Sequence, residues 1–240
     1  MRRREFLVAG SSAAALISTN IVPAIPISLT SKSEVLDDNN KLTPPDGPII
    51  VAFAISRGAT MIDFAGPWEV FQDVMLQRDG NHRQPFSLYT VSEKTDPIES
   101  SGGMKIVPDH TFETAPPPRI VVIPAQAGSP ALHAWLRKIV DSTDVTMSVC
   151  TGAFQLGRAG LLAGKEATTH HDFFEQFAKA FPDVKLKRGL RFVEGGKIST
   201  AGGLTSGIDL ALRVVERYFG RQVAEQTAFY MEYQSKGWIV

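Results

Sequence analysis

The strongest constraint on the fold is an unbroken apolar run at residues 49–55, with the sequence IIVAFAI. A run without polar alternation is typical of a strand that is buried on both faces, as in parallel sheets. Weaker runs of the same kind occur at residues 86–91, 119–124 and 145–149. Segments with helical spacing lie between and after them. Strands that alternate with helices predict a parallel sheet covered by helices on both faces.

The predicted helices are defined by apolar residues that recur three and four positions apart. They include Leu132, Trp135, Leu136, Ile139 and Val140, and further along Ile208, Ala211, Leu212, Val215 and Phe219. Another stripe runs from Phe173 to Phe181 and should end at Pro182, because proline cannot continue the helical hydrogen bonds. Residues 192–199 indicate a hairpin, with Gly195 and Gly196 at its turn.

The chain begins with a segment typical of an export signal. Arg3 and Arg4 precede Phe6 and Leu7 and a mildly apolar run that is rich in Ala and Ser, which is the layout of a twin-arginine signal. We therefore predict that residues 1–29 are the signal and that the mature protein is periplasmic; a disordered basic tail is the alternative. The apolar run is too short and too interrupted for a stable membrane anchor.

The remaining chain divides into a linker and one folded domain. Residues 30–47 are rich in Ser, Asp, Asn and Pro, so we predict a disordered linker there and a single domain at residues 48–240. Acidic and basic residues balance at 25 each. The overall charge therefore gives no reason to expect nucleic acid as a partner, and a small molecule is the predicted one.

Cys150 is the strongest candidate for a catalytic residue. It is the single cysteine of the chain, so it forms no internal disulfide. A buried strand at residues 145–149 runs directly into it, and a helical pattern follows, with Gly152 relieving crowding at the turn. The free N–H groups of a helix N-terminus favour a thiolate and could hold an oxyanion, with the Thr151 N–H as first donor. A buried and inert cysteine is the alternative.

Asp63 follows the first strand and should reach the same edge of the sheet, since ligands of open α/β sheets bind at the carboxyl ends of strands. Its apolar neighbours would raise its pKa by desolvation, which suits a residue that shuttles protons. It could equally cap the helix that Pro67 helps to start. Phe64 and Trp68, in the same segment, could form an apolar wall for a substrate.

His170 and His171 are the remaining candidates, because neutral imidazole is a common base and metal ligand. Neighbouring helical residues point about 100° apart, so the pair should not share one metal ion. Thr169 as N-cap with Asp172 in the first turn explains the segment structurally, and His170 is the one expected nearer Cys150. We predict neither a metal site nor a cofactor, as clustered ligand spacing and a dinucleotide-type glycine loop are both missing from the sequence.

Several motifs together resemble the ThiJ/PfpI superfamily, and within it the isonitrile hydratase branch and the ligand domains of AraC-type regulators. These motifs are DFAGP with EVF at residues 63–71, CTGA at 150–153, LLAG at 161–164, ATTH at 167–170, and GG with SGID at 202–209. The resemblance implies a flavodoxin-like three-layer α/β/α sandwich with a mostly parallel sheet and a nucleophile elbow, and a homodimer.

The resemblance also implies roles for individual residues. Cys150 would be the nucleophile, Asp63 the acidic residue beside it, and Thr151 the residue that follows the cysteine in isonitrile hydratases, where protease-like members have His. Ala125 and Gln126 replace the Gly-Gly of the family, which leaves the second oxyanion donor open; Gln126 could itself donate a hydrogen bond. The substrate-binding set is then Gly152, Ala125, Gln126, Phe64, Trp68 and His170.

The implied activity is hydration of a small isonitrile to an N-substituted formamide, a hydro-lyase reaction with a covalent thioimidate at Cys150. An alternative is a periplasmic ligand-binding or thiol-sensing domain without catalysis. A third reading is glyoxalase or hydrolase chemistry on another electrophile at the same cysteine.

Overall fold

The computed structural model describes residues 40–78 and 81–240. Its strands, in chain order, are β1 (Ile49–Ala54), β2 (Leu76–Arg78), β3 (Asn81–Arg83), β4 (Phe86–Ser92), β5 (Ile98–Glu99), β6 (Lys105–Ile106), β7 (His110–Thr111), β8 (Ile120–Ile123), β9 (Val145–Ser148), β10 (Glu166–Ala167), β11 (Lys185–Leu186), β12 (Phe192–Gly195) and β13 (Ile198–Ala201). The α-helices are α1 (Met61–Asp73), α2 (Pro130–Ile139), α3 (Ala153–Arg158), α4 (Phe174–Ala180), α5 (Ser206–Phe219) and α6 (Arg221–Tyr230).

Seven strands form the central sheet, in the order β12-β13-β9-β8-β1-β4-β7. All neighbouring pairs in it are parallel except the β12–β13 hairpin, which turns at Gly196 with a φ of +74°. The remaining strands form three two-stranded ribbons outside this sheet. The predicted mostly parallel sheet is confirmed, and so are the long strands and the helices that the apolar patterns indicated.

Two apolar layers cover the sheet, one on each face. Val51 and Phe53 of β1 belong to the layer that includes residues of α1, α5 and α6, whereas Ala52 and Ala54 belong to the layer that includes residues of α2, α3 and α4. Successive strand residues point to opposite faces, so a strand buried on both sides must be apolar throughout. This is why residues 49–55 form an unbroken apolar run.

The start of α1 differs from the prediction. The helix begins at Met61 and has Pro67 in its interior, so Pro67 does not mark its start. Proline removes one intrahelical hydrogen bond at that position. Gly66 and Gly207 allow a close approach between α1 and α5: a Cβ on Gly66 would lie 2.8 Å from the side chain of Ile208.

The part of the predicted linker that the structure describes contacts the domain. The Leu42 N–H donates to the Arg217 carbonyl (2.9 Å), and the Arg217 side chain donates to the Asn40 carbonyl (2.9 Å). The predicted export signal and residues 30–39 of the predicted linker lie outside the described residues, so periplasmic export stays a prediction. Among the helices that are described, none is both long and apolar enough to cross a membrane.

Candidate active site

The turn from β9 into α3 holds Cys150 in an unusual backbone conformation. Cys150 has a φ of +58°, in the left-handed region that side chains other than glycine rarely adopt, and it begins a 3-10 helix over Cys150–Gly152. Its N–H donates to the Gly202 carbonyl (2.7 Å), and its carbonyl accepts from the Thr169 hydroxyl (2.9 Å). Strain of this kind persists only where surrounding contacts fix it, and it is concentrated at functional sites.

Gly152 allows the elbow to pack directly on the end of β8. A Cβ at this position would lie 2.2 Å from the Ile123 carbonyl oxygen and 2.8 Å from that of Pro124. These are backbone atoms of a central strand and its exit, so they cannot move aside as a flexible side chain could. The structure thus gives the predicted role of Gly152 a specific reason, namely close approach of two backbone segments.

Asp63 lies in the first turn of α1 and is fully buried. Its Oδ2 accepts a hydrogen bond from the Ala125 N–H (3.1 Å), and its carboxyl group lies within hydrogen-bonding reach of the Cys150 thiol. The carboxylate therefore does not cap its own helix. Of the two roles that the sequence left open, the geometry fits proton transfer better.

The Asp63 carboxyl and the Cys150 thiol affect each other's pKa. Burial raises the pKa of Asp63 to about 6, partly offset by the hydrogen bonds from Ala125 and Cys150. Burial, together with the nearby negative charge of Asp63, raises the pKa of the Cys150 thiol to about 11. The raised pKa of Asp63 agrees with the sequence analysis. The N–H groups at the turn were expected to favour the thiolate; they do lower the pKa of the thiol, but desolvation outweighs them.

Hydrogen bonding from the backbone N–H groups of two residues lowers the pKa of the Cys150 thiol. These residues are Thr151, whose N–H was predicted as the first donor to an oxyanion, and Leu204, which the sequence analysis did not single out. Leu204 also has a left-handed backbone, with a φ of +51°, and its side chain is 44% exposed. The only sequence signal for it was its place directly after the Gly202–Gly203 pair in one of the motifs.

The segment that replaces the family's Gly-Gly is largely occupied by structural hydrogen bonds. The Ala125 N–H donates to Asp63, and the Ala125 carbonyl accepts from the Thr60 N–H (2.9 Å). The Gln126 side chain donates to the Ala54 carbonyl (2.8 Å), so its amide is engaged with β1. Ala125 therefore orients Asp63. The N–H groups that reach the sulfur come from Thr151 and Leu204.

Phe64 and Trp68, which were predicted to form an apolar wall for a substrate, both pack against other residues of the protein. Phe64 is buried in the same apolar cluster as Cys150. The ring of Trp68 packs on Phe53, with ring centroids 4.8 Å apart, and its Nε1 donates to Gln72 (3.2 Å). A substrate contact for either residue stays a prediction.

His170 lies beside the turn that contains Gly203 and Leu204, and the helix cap near it differs from the one predicted. A Cβ on Gly203 would fall 2.2 Å from the His170 ring. The N-cap of the 3-10 helix His171–Phe173 is His170, whose Nδ1 accepts from the Asp172 N–H (3.2 Å). The prediction of Thr169 as N-cap was wrong, because the Thr169 hydroxyl instead donates to the Cys150 carbonyl.

The two histidines are closer to each other than helical geometry suggested. His170 has an extended backbone, so its ring stacks on His171 with centroids 4.4 Å apart, and the argument from a 100° separation fails here. One donor atom each from His170, His171 and Asp172 lies within 4.8 Å of the others. His171 and Asp172 are exposed and the Nδ1 of His170 already accepts a hydrogen bond, so we assign no ion to this cluster.

A cavity of about 550 Å³ opens at the same edge of the sheet, but it is not the thiol site. Loops after β1, β4 and β8 line it, including Arg57, Lys94 and Gly128, whereas Cys150 and Asp63 do not. The Gly128 N–H donates to the Ser56 hydroxyl (3.0 Å), which ties two of these loops together. The thiol lies separately, in a site where Cys150 is 7% exposed.

The fold and the elbow define a class of protein: a flavodoxin-like α/β sandwich with a cysteine on a strained strand-to-helix turn and a buried carboxyl beside it. The model of the DJ-1/PfpI family matches residues 50–217. The chain belongs to the DJ-1/PfpI family.

Relatives within this family include an enzyme and regulators. The chain is 29% identical over 192 residues to the isonitrile hydratase of Pseudomonas putida, covering 76% of this chain and 78% of that protein. It is 31% identical over 153 residues to the HTH-type transcriptional regulator CdhR of Pseudomonas aeruginosa, covering 61% of this chain and only 45% of the regulator.

Solved structures agree with the fold. A ThiJ/PfpI family protein from Pseudomonas syringae superposes with a TM-score of 0.69 at 25% identity, over 84% of this chain and 81% of that one. DJ-1beta of Drosophila melanogaster superposes with a TM-score of 0.66 at 16% identity, over 78% of this chain and all of that one. At that identity the second likeness concerns the fold alone.

Proposed function

We propose that this protein hydrates a small isonitrile, or a closely related electrophile, to an N-substituted formamide through Cys150. The observation that carries the proposal is the arrangement around the sulfur: a thiol beside the Asp63 carboxyl, with the N–H groups of Thr151 and Leu204 directed at it. This supplies a nucleophile, a proton acceptor and donors for developing negative charge.

The first step forms a bond between the sulfur and the terminal carbon of the isonitrile. Because the pKa of the thiol is about 11 and that of Asp63 about 6, the resting pair at neutral pH is a thiol and a carboxylate. Asp63 takes the thiol proton as sulfur attacks and delivers it to the same carbon. The product is a thioimidate, R–N=CH–S–Cys150, which contains every atom of the isonitrile and of the thiol.

The second step consumes one water molecule. Asp63 orients the water for addition to the thioimidate carbon, takes one of its protons and passes that proton to the imine nitrogen. The tetrahedral adduct then expels sulfur as the C–S bond breaks; its hydroxyl proton passes through Asp63 to the sulfur, which gives R–NH–CHO and returns the thiol. The Thr151 and Leu204 N–H groups stabilise sulfur both as it attacks and as it leaves, since charge-assisted hydrogen bonds are stronger than neutral ones.

The similarity to isonitrile hydratase supports this reaction over others that a cysteine elbow could catalyse. The alignment covers about three quarters of both chains, and Asp63 and Thr151 match the residues that the resemblance implies for that branch. The partly exposed Leu204 side chain, next to a donor for the sulfur, offers an apolar surface to the organic group of the substrate. A homodimer stays a prediction.

The ligand-binding or thiol-sensing alternative has weaker support. Peroxide oxidises thiolates, and the pKa of about 11 leaves little thiolate at neutral pH. Glyoxalase or hydrolase chemistry would use the same Cys150 and Asp63, so substrate tests must separate these reactions from hydration.

The experiment is to incubate the purified protein with cyclohexyl isocyanide and to measure N-cyclohexylformamide, with Cys150→Ala as the matched control. We expect formamide from the wild type and none above background from the variant. Equal yields from both proteins would refute the proposal. Turnover of methylglyoxal without turnover of the isonitrile would favour the third reading.

A further inference from the structure

The turn at residues 202–205 supplies one side of the environment of the thiol. The Gly202 carbonyl accepts from the Cys150 N–H (2.7 Å), and the Leu204 N–H is directed at the sulfur. Leu204 has a φ of +51°, and its side chain is 44% exposed, so side-chain packing covers only part of it. Surrounding contacts hold strained backbone of this kind in place, and several of them come from outside the turn.

Those contacts converge on Asp209, in the first turn of α5. Asp209 is fully buried, and its Oδ2 accepts from the Arg191 side chain (2.5 Å). Its Oδ1 accepts from the Tyr233 hydroxyl (3.1 Å) and the Ser235 hydroxyl (3.0 Å). A buried carboxylate is costly unless donors of this kind surround it. The backbone of Gly237 packs closely against the same carboxylate, since a Cβ there would lie 2.9 Å from Oδ2.

The partners of Asp209 in turn hold Thr205, the residue directly after Leu204. Arg191 donates to the Thr205 hydroxyl (3.1 Å), and the Tyr233 hydroxyl lies 3.3 Å from the Thr205 carbonyl oxygen. The Arg191 carbonyl also accepts from the Gly202 N–H (2.9 Å). Both ends of the turn are thus attached to groups that Asp209 organises.

The C-terminal segment that carries Tyr233 is itself anchored in the core. Trp238 is 1% exposed, and its Nε1 donates to the Ser235 carbonyl (3.1 Å). The guanidinium of Arg221 lies 5.4 Å from the centre of the Trp238 ring. The segment that carries Tyr233 is therefore anchored by a buried tryptophan, and the Tyr233 hydroxyl itself by the buried carboxylate of Asp209.

We infer that Asp209 is a positioning residue for Cys150: through Arg191 and Tyr233 it fixes the turn at residues 202–205 and keeps the Leu204 N–H on the sulfur. This assigns the last part of the chain a role in the thiol site, although Asp209 itself touches neither sulfur nor substrate. The inference rests on the proposed use of Cys150 as a nucleophile, and it specifies what stabilises that nucleophile as charge develops.

The test measures the thiol directly and needs no substrate. Cys150 is the only cysteine, so iodoacetamide alkylation reports on it alone. Near pH 8 the alkylation rate is proportional to the thiolate fraction, because the pKa of the thiol is about 11. Tyr233→Phe and Asp209→Asn are the test variants, and hydrogen exchange of the Leu204 amide is the second readout.

We expect Tyr233→Phe and Asp209→Asn to lower the alkylation rate about three- to tenfold, since the thiolate loses one well-placed donor, and to speed exchange of the Leu204 amide. Ser235→Ala removes a bond to the same carboxylate without touching Thr205, so it should leave both readouts near wild type. Tyr218→Phe removes another buried hydroxyl, bonded to Asp144, and controls for a general loss of stability.

Alkylation at or above the wild-type rate in Tyr233→Phe, with unchanged exchange at Leu204, would overturn the inference and leave Asp209 with a structural role. If Asp209→Asn does not fold, Tyr233→Phe decides alone. Absence of isonitrile turnover would refute the proposed function but would not alter this result.

Discussion

The carboxyl group of Asp63, in the first turn of α1, lies within hydrogen-bonding reach of the Cys150 thiol at the end of β9. Both groups are buried; the charge of Asp63 makes the thiol harder to ionise, whereas the hydrogen bond from the thiol favours the Asp63 carboxylate. Their pKa values, about 6 for Asp63 and about 11 for Cys150, place the proton on the thiol at neutral pH. The following predictions depend on this pair and on the backbone that holds it.

Replacing Asp63 by Asn should make Cys150 more acidic. The charge of Asp63 and its hydrogen bond to the thiol both contribute to the raised pKa of Cys150, so an uncharged side chain should lower that pKa. The measurement is the pH profile of iodoacetamide alkylation. Asp144→Asn removes a carboxylate at the opposite end of β9 and should leave the profile unchanged. An unaltered profile in Asp63→Asn would show that the two groups are not coupled.

The same substitution should stabilise the protein at neutral pH while removing activity. The pKa of Asp63 rises from 3.8 to about 6 on folding, so between these values the native state keeps a proton that the unfolded chain has lost. The free energy of unfolding therefore falls as pH rises through this window, by up to about 3 kcal/mol. Asn carries no such penalty, and its carbonyl can still accept from the Ala125 N–H.

Urea unfolding of the wild type and Asp63→Asn tests this linkage. The variant should be more stable than the wild type at about pH 7.5 and nearly equal to it at about pH 3.5, below both pKa values. Equal stability at both pH values would mean that Asp63 is not desolvated in the native state.

Hydration should depend on the ionised form of Asp63. Because the carboxylate must accept the thiol proton, kcat/KM should rise with pH through about 6 and then stay level over the neutral range, since the thiol titrates only near 11. Initial rates of formamide formation between about pH 4.5 and pH 9 provide the profile. A rise centred above pH 8 would instead indicate a preformed thiolate and would contradict the assigned roles.

Much of this fold could be predicted from the sequence. Its strands are buried on both faces, so they appear in the sequence as uninterrupted apolar runs. Residues 49–55 and 145–149 matched β1 and β9 closely, and the turn at Cys150 followed from what lies on either side of it. The ribbons β2–β3, β5–β6 and β10–β11 were not predicted, since two- and three-residue strands leave no apolar period to detect.

The site was predictable only where single residue types carry chemistry. Cys150 and Asp63 could be found in this way, whereas Leu204 acts through its backbone N–H, which every residue except proline possesses. The Thr169 hydroxyl and the Ala125 N–H likewise gained their roles from contacts between distant segments. The raised pKa of the Cys150 thiol was not predicted, because the cost of burial cannot be read from a helix N-terminus alone.

Gly152→Ala should damage both stability and activity. Its Cβ would meet the carbonyl oxygens of Ile123 and Pro124, at 2.2 Å and 2.8 Å, which must move for it to fit. Overpacking of this kind costs about 1–3 kcal/mol. Gly47→Ala is the matched control, because nothing lies within 4 Å of a Cβ there. Thermal unfolding of the two variants measures the difference; equal melting temperatures would show that the elbow is not packed against β8.

The most direct test of the proposed nucleophile is intact-protein mass spectrometry of the protein mixed with cyclohexyl isocyanide and quenched in acid. We expect a species heavier than the free protein by the whole mass of the isonitrile, since the thiol proton is retained on the carbon. The added mass should map to Cys150 and be absent in Cys150→Ala. Formamide production without any such species, or with turnover retained in Cys150→Ala, would contradict the claim that Cys150 is the nucleophile.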